Sequence, residues 1–247
     1  MKFENKVAIV TGGAGGIGGV TVQALAEEGA KVVIADFADA AQNYSDELNA
    51  KGYDTFFVKT DVSSEESIKN MVNQTVEKYG KIDLLVANAG IGLDAPIHEL
   101  PFEHWKKTLS INLDGVFLAD KYVIEQMRKQ GTGGAIVNTG SVHGLVGKEG
   151  IIAYGASKGG VKLLTQTLGA TYAKEGIRVN SVNPGYIDTP LLQQLPKEIY
   201  DELVALHPIG RLGKAEEVAK TILFLLSDDA SFFAGASLVM DGGYSAV

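Results

Sequence analysis

Apolar residues in this chain gather in short, nearly unbroken runs at 6–10 (KVAIV), 31–35 (KVVIA), 55–58 (TFFV), 82–87 (IDLLVA), 134–139 (GAIVNT), 177–182 (IRVNSV) and 237–240 (SLVM). Runs of this length and continuity read as strands buried on both faces, the signature of a parallel sheet. Between them lie helical stretches, among them 17–28, 64–79, 103–129, 151–175 and 214–227, each long enough to cross back over one sheet face. The alternation predicts an α/β fold: a single doubly wound, Rossmann-type domain spanning 1–247 with a mostly parallel, seven-stranded sheet. Its ligand belongs beyond the carboxyl ends of the strands. The longest stretch without periodicity, roughly 184–212, is long for a connection in a compact domain and reads as a lid or binding loop. No internal repeat or low-complexity segment is present.

Composition supports one ordinary folded domain, since 45% of the 247 residues are hydrophobic and 21% charged. With 22 Lys+Arg against 30 Asp+Glu, the net charge of −8 and the lack of a basic run argue against a nucleic-acid partner. The absence of cysteine removes disulfides and thiolate metal sites, which suits a reducing compartment, and no metal ligand set is expected. The apolar run that follows Lys6 is too short for a signal sequence or a membrane span. A cytoplasmic protein without membrane contact is the expectation.

Chemistry first enters at the end of the first run. Thr11-Gly12-Gly13-Ala14-Gly15-Gly16-Ile17-Gly18 lies where a strand turns into a helix. Glycines there permit positive φ and close approach of backbone to a pyrophosphate, which the exposed N–H groups of a helix N-terminus attract. Two spacings fit: Gly13, Gly15 and Gly18 form G-x-G-x-x-G, whereas Gly12, Gly16 and Gly18 form G-x-x-x-G-x-G. Asp36 ends the second run 20 residues after Gly16, about the spacing at which a carboxylate accepts hydrogen bonds from an adenosine ribose. Neither Gly15 nor Phe37 supplies a cation for a 2′-phosphate, so the cofactor expected is NAD rather than its phosphorylated form.

Tyr154 and Lys158 stand one turn apart on a predicted helix and share a face. A neighbouring ammonium favours the phenolate, and on that ground Lys158 is expected to bring Tyr154 toward neutrality as an acid–base group. Ser141 follows the run 134–139, at the sheet edge where a hydroxyl meets a ligand. Asn112 lies inside a predicted helix, where a polar side chain is mildly unfavourable. His143 is placed either at the pocket or as a loop histidine without a role.

With these segments in order, the chain resembles the short-chain dehydrogenase/reductase family over essentially its whole length. The resemblance is carried by TGGAGGIG at 11–18, Asp61-Val62, Asn88-Ala89-Gly90, Asn112, Ser141, Tyr154-Gly155-Ala156-Ser157-Lys158 and Pro184-Gly185. It favours the register Gly12, Gly16 and Gly18, and implies that Asp61 and Val62 meet the adenine while Asn88 and Gly90 flank the cofactor. It further implies Tyr154 as general acid/base, Ser141 on the substrate oxygen, Lys158 on the nicotinamide ribose and the tyrosine, and Asn112 in a water-linked proton relay. Pro184, Gly185, Ile187 and Thr189 would lie at the nicotinamide, the last two at its carboxamide, with 186–212 as substrate loop. The implied activity interconverts a secondary alcohol and a ketone. A homotetramer is implied too, paired through 103–129 and 151–175.

Two other functions are compatible with the same residues: a carrier-linked 3-oxoacyl reductase, which Asp36 disfavours, and a nucleotide-sensing protein without turnover, which need not retain Ser141, Tyr154 and Lys158 together. Leu93, His143, Leu145, Tyr186 and Leu191 suggest a largely apolar substrate pocket.

Overall fold

The computed structural model describes residues 1–190 and 192–247; Leu191, one of the pocket residues expected from the sequence, lies outside them. The chain begins with β1 (Val7–Thr11), α1 (Gly16–Glu27), β2 (Lys31–Asp36), α2 (Ala41–Ala50) and β3 (Thr55–Lys59), followed by α3 (Glu65–Tyr79) and β4 (Leu84–Ala87). The second half adds α4 (Phe102–Leu109), α5 (Gly115–Gln130), β5 (Gly134–Thr139), α6 (Ala153–Tyr172) and β6 (Ile177–Pro184). It ends with β7 (Ile187–Asp188), α7 (Lys197–Ala205), β8 (Gly213–Lys214), α8 (Ala215–Leu226) and β9 (Ser237–Met240).

Seven strands form one parallel sheet in the order β3-β2-β1-β4-β5-β6-β9, so all seven runs predicted as strands are strands. The chain reverses its direction of growth between β1 and β4, which opens a crevice at their carboxyl ends.

Strand pleating divides the core between the two faces. On one face Ala8 and Val10 of β1 join Val32 and Ile34 of β2 against Val22 and Leu25 of α1 and Val218 and Ile222 of α8. On the other, Ile9, Val33 and Leu85 pack against Ile68 and Met71 of α3 and Val123 and Met127 of α5. Continuous apolar strands follow from this: every residue of β1 is buried because both faces are covered. Truncating a side chain such as Leu85 to alanine would cost about 2–5 kcal/mol.

Local signals close the elements. Ser64 accepts from the Ser67 N–H ahead of α3, and Gly80 and Gly131 end α3 and α5 in the left-handed region at φ 80° and 70°. The Arg178 guanidinium donates to the carbonyls of Leu225, Leu226, Ser227 and Ala230, and so ties β6 to the end of α8.

Two regions differ from the sequence expectation. The helix predicted at 103–129 is broken into α4 and α5 by a π-helical turn at Ser110–Asp114. That turn turns Asn112 inward and buries it completely, a tertiary demand that helical periodicity does not encode. The stretch 184–212 is also not structureless. Its β7 pairs with β8 just beyond it, and it carries α7, whose Tyr200, Leu203 and Val204 are half-buried while the rest of the helix is exposed.

Candidate active site

The glycine turn obeys strict steric limits. Gly12 and Gly16 have φ of 63° and 53°, which side-chain-bearing residues rarely adopt. A Cβ on Gly12 would lie 2.9 Å from Ala89 Cα, and one on Gly18 would collide with the Gly12 carbonyl oxygen and reach within 2.6 Å of Asn88 Nδ2. Gly15 is extended at φ −168° and faces open space. The backbone constraint therefore falls on Gly12, Gly16 and Gly18, the second of the two spacings.

At the end of β2 the Asp36 carboxylate accepts from the N–H groups of Ala14 and Ala38 at 3.0 and 2.9 Å, which fixes it beside the turn. Phe37 is 69% exposed. The sequence reading missed a cation here: Lys59 is paired in register with Asp36, and its ammonium lies 5.8 Å from the Phe37 ring centroid. Only the strand register brings it there. Asp39 neutralises it at 2.6 Å.

Asn88 ties three strands together at the crevice. Its N–H donates to Thr11 Oγ1 at 3.0 Å, its side-chain amide donates to the Gly12 carbonyl at 3.2 Å, and its Oδ1 accepts from Thr139 Oγ1 at 3.3 Å. Asp61 and Val62 stand at the outer end of β3. There the Asp61 carboxylate accepts from the N–H and hydroxyl of Ser63, and Val62 packs into the core against Gly115.

Ser141, Tyr154 and Lys158 converge beyond β5. Asn112 Oδ1 accepts from the Ile91 N–H, and its Nδ2 donates to the Ile91 carbonyl, both at 2.8 Å. The amide also donates to Ser157 Oγ at 3.3 Å, which brings it against α6. Gly90 lies between them, since a Cβ there would be 3.3 Å from Asn112 Oδ1 and 3.6 Å from Lys158 Nζ.

One sequence expectation is corrected. Lys158 was expected to lower the Tyr154 phenol, but its ammonium donates to the Thr139 carbonyl at 2.7 Å and sits 5.5 Å from the phenol ring centroid. Burial pushes the phenol up, the Ser141 hydroxyl pulls it down, and the Asp94 carboxylate pushes it up again. Burial also pulls the Lys158 ammonium down to about 8, as expected for a cation held in protein with a single carbonyl acceptor.

Ser141, Tyr154 and Thr189 border a cavity of about 250 Å³ whose apolar wall includes Ile17, Ile151 and Leu192. Pro184, Gly185 and Ile187 lie on it too, so the turn after β1 and the segment after β6 meet across one space. His143 and Tyr186 also border it, whereas Leu93 and Leu145 do not. His143 Nε2 is 3.3 Å from the Tyr186 hydroxyl, and the imidazole is held down by burial. Its Nδ1 has no hydrogen-bond partner among the described residues. His207, which the sequence reading passed over, donates from Nδ1 to the Leu203 carbonyl at 2.8 Å and accepts the Tyr186 N–H on Nε2 at 3.2 Å. That pair of bonds fastens α7 to the wall of the cavity and requires the neutral ring with its proton on Nδ1.

A family model described as Enoyl-(Acyl carrier protein) reductase matches residues 12–245. The chain belongs to the short-chain dehydrogenase/reductase family. Among its relatives, the cis-4-hydroxycyclohexanecarboxylate dehydrogenase of Sinomonas cyclohexanicum is 46% identical over 99% of this chain and 98% of its own length. The cyclohexanol dehydrogenase of Acinetobacter sp. (strain SE19) is 44% identical over 99% of this chain and 96% of its own. A short-chain type dehydrogenase/reductase from Mycobacterium marinum superposes with a TM-score of 0.95 at 33% identity, covering 100% of this chain and 98% of that one. This chain is an oxidoreductase with a Rossmann-like fold. Its family uses nicotinamide cofactors. Among the described residues no helix is long and apolar enough to cross a membrane.

Proposed function

We propose that this protein is an NAD(H)-dependent dehydrogenase that interconverts a cyclic secondary alcohol and its ketone, with Tyr154 as general acid/base. The observation that carries this reading is the convergence of Ser141 and Tyr154 on one cavity that also reaches Ile17 of the glycine turn, with the buried Lys158 ammonium 5.5 Å from the Tyr154 ring centroid. The cyclic class comes from the two relatives named for cyclohexane-ring substrates, and the apolar wall of Ile17, Ile151 and Leu192 suits such a ring.

The residues at β1 and β2 fit a dinucleotide. A Cβ would fill the space at Gly12 and Gly18, the N–H groups at the start of α1 suit a pyrophosphate, and Asp36 suits ribose hydroxyls. When bound there, a nicotinamide nucleotide supplies the hydride acceptor or donor. Gly12, Gly15, Gly16, Ile17 and Gly18 would hold the pyrophosphate side, with Asp36 and Phe37 at the ribose and Asp61 and Val62 at the adenine. Asn88, Gly90, Pro184, Gly185, Ile187 and Thr189 would bracket the nicotinamide half.

In oxidation, Ser141 hydrogen-bonds the carbinol oxygen and orients it toward Tyr154. The phenolate of Tyr154 accepts the hydroxyl proton as the carbinol C–H bond breaks. In reduction, the same phenol donates that proton to the forming alkoxide. Lys158 holds the cofactor ribose, and Asn112 keeps the Ile91 backbone in place for a water-linked proton path. The stretch 186–212, fastened through His207, closes over the substrate. The exposed Phe117 (47%) of α5 and Leu163 (63%) of α6 suit the paired interfaces of a homotetramer, which light scattering at micromolar concentration would test.

A carrier-linked 3-oxoacyl reductase is the second reading, favoured by the 40% identity to the 3-oxoacyl-(acyl-carrier-protein) reductase of Thermotoga maritima. Following reduced nicotinamide by absorbance with cyclohexanol and NAD, cyclohexanone and NADH, and a 3-oxoacyl thioester with NADPH separates the two. Turnover confined to the thioester with NADPH would overturn the proposal.

A further inference from the structure

We infer that Asp94 is a positioning residue for the proton step, acting as a cap in trans on the first turn of α6 and as a fixed negative charge facing Tyr154. The inference rests on the assignment of Tyr154 as acid/base made above.

The first N–H groups of a helix have no partner within it, and a neighbouring side chain usually satisfies them. The residue preceding α6, Ile152, has no side-chain acceptor and makes no cap bond. Asp94 fills the vacancy from a different part of the chain. Its Oδ1 accepts from the Ala153 N–H at 2.7 Å and from the Tyr154 N–H at 3.2 Å. The carboxylate therefore holds the backbone of the acid/base residue itself. A negative charge at a helix N-terminus is also favourable against the helix dipole.

Asp94 is held in turn from its own side. It belongs to the segment after β4, where both polar groups of Ile91 are bonded to Asn112 at 2.8 Å. The segment Gly90–Asp94 thus links the buried asparagine to the first turn of α6, and Asn112 approaches the same helix through Ser157. Tyr154 is fixed at its backbone by one strut and at its helix by the other.

The charge has a second effect. Four groups face Tyr154: Lys158 from its own helix, Ser141 from the segment after β5, Tyr186 from the segment after β6, and Asp94 from the segment after β4. Burial opposes loss of the phenol proton most strongly, Ser141 favours it, and Asp94 opposes it further. The unliganded site therefore rests with the phenol protonated, the form that donates to a ketone.

Asp94→Asn keeps an oxygen acceptor and removes the charge, whereas Asp94→Ala removes both. Cyclohexanol oxidation with NAD is measured across pH for the wild type, the two variants and Tyr154→Phe. In parallel, the phenols are titrated by ¹³C NMR of tyrosine-labelled protein, with Tyr154→Phe assigning the resonance, a readout that needs no turnover. Asp94→Asn is expected to retain the wild-type melting temperature, lower the Tyr154 midpoint by about 0.5–1 unit and raise kcat/KM on the acid limb about 3–10-fold. Asp94→Ala is expected to lower kcat about tenfold with little change in KM, and to melt a few degrees lower. A Tyr154 midpoint unchanged in Asp94→Asn would overturn the charge role, and Asp94→Ala matching the wild type in kcat and melting would overturn the cap. Failure of the wild type to turn over cyclohexanol, with the NMR shift present, would instead count against the substrate reading alone.

Discussion

The β1–α1–β2 unit and the β5–α6 unit face the same crevice, yet they are built in opposite ways. The first presents main chain: its strands are buried and apolar, and its working groups are the N–H groups of a turn in which Gly12 and Gly18 leave no room for a side chain and Gly12 and Gly16 hold positive φ. The second presents side chains, and to hold them it buries polar residues that an ordinary core excludes. Asp120, Asn138, Ser157, Lys158 and Thr165 are all essentially inaccessible there. A main-chain site fails by steric intrusion, whereas a side-chain site fails by loss of a particular atom or hydrogen bond.

The contrast is sharpest at Tyr154. Replacing Tyr154 by Phe removes one oxygen from the side-chain unit and leaves the glycine turn untouched. Turnover is expected to fall by at least ~10²–10⁴-fold, while NADH affinity, followed by nucleotide fluorescence, stays within a factor of a few. Parallel loss of binding and turnover would mean that the two units are not separable.

The main-chain unit is broken by adding atoms. Gly18→Ala places a methyl group against the Gly12 carbonyl and Asn88 Nδ2, with an overpacking cost of about 1–3 kcal/mol. NADH affinity is expected to drop about 10–100-fold, with a lower melting temperature. Gly15→Ala is the internal control, because its backbone is extended and its Cβ meets nothing within 4 Å in the protein. It should melt like the wild type, so that any loss of NADH affinity reports contact with the nucleotide. Equal melting of the two variants would contradict the steric account.

Preference between cofactors is a smaller effect at the margin of the same unit. Asp36→Ala with Phe37→Arg exchanges a carboxylate for a guanidinium suited to a phosphate. The ratio of kcat/KM for NAD to that for NADP is expected to fall by about tenfold or more. Lys59 stands beside this position, with its ammonium paired to Asp39 and over the Phe37 ring. Equal use of both cofactors by the natural protein would refute the role given to Asp36.

How much of this was legible in the sequence follows from the same contrast. The strands could be read because burial on both faces leaves unbroken apolar runs, and the glycine turn because steric limits select one residue type at fixed spacing. Tyr154 and Lys158 could be paired because one helical turn separates them. Asp94 could not be found, as its partners lie 59 and 60 residues away and meet it only through the order of β4 and β5. Nor could the burial of Asn112, which depends on the π-helical turn, or the role of His207, which needs α7 folded back on Tyr186. The direction of the Tyr154 shift was misjudged because sequence proximity gives the Lys158 charge but neither the depth of burial nor the Thr139 carbonyl that holds the ammonium.

The mildest test concerns the polar core beneath the catalytic side chains. Asp120 on α5 accepts from Asn138 Nδ2 at 2.9 Å, and the same amide donates to Thr165 Oγ1 at 3.0 Å. Neither Asp120 Oδ1 nor Asn138 Oδ1 has a partner among the described residues. Burial pushes the Asp120 carboxyl from 3.8 up to about 7, against the hydrogen bond from Asn138, which pulls it down. Between those values the folded protein keeps a proton that the unfolded chain has released. The stabilisation is therefore complete below about pH 4 and is lost as pH rises through about 7. Asp120→Asn removes the titration and supplies an N–H donor beside the unpartnered oxygen of Asn138. Its melting temperature is expected to match the wild type near pH 4–5 and to exceed it by about 2–6 °C at pH 8, with catalysis changed by no more than a factor of two or three. Thermal denaturation of both proteins from pH 4.5 to pH 8 reads this directly. Parallel curves over that interval would show that Asp120 takes up no proton on folding there, and would overturn the upward shift ascribed to its burial.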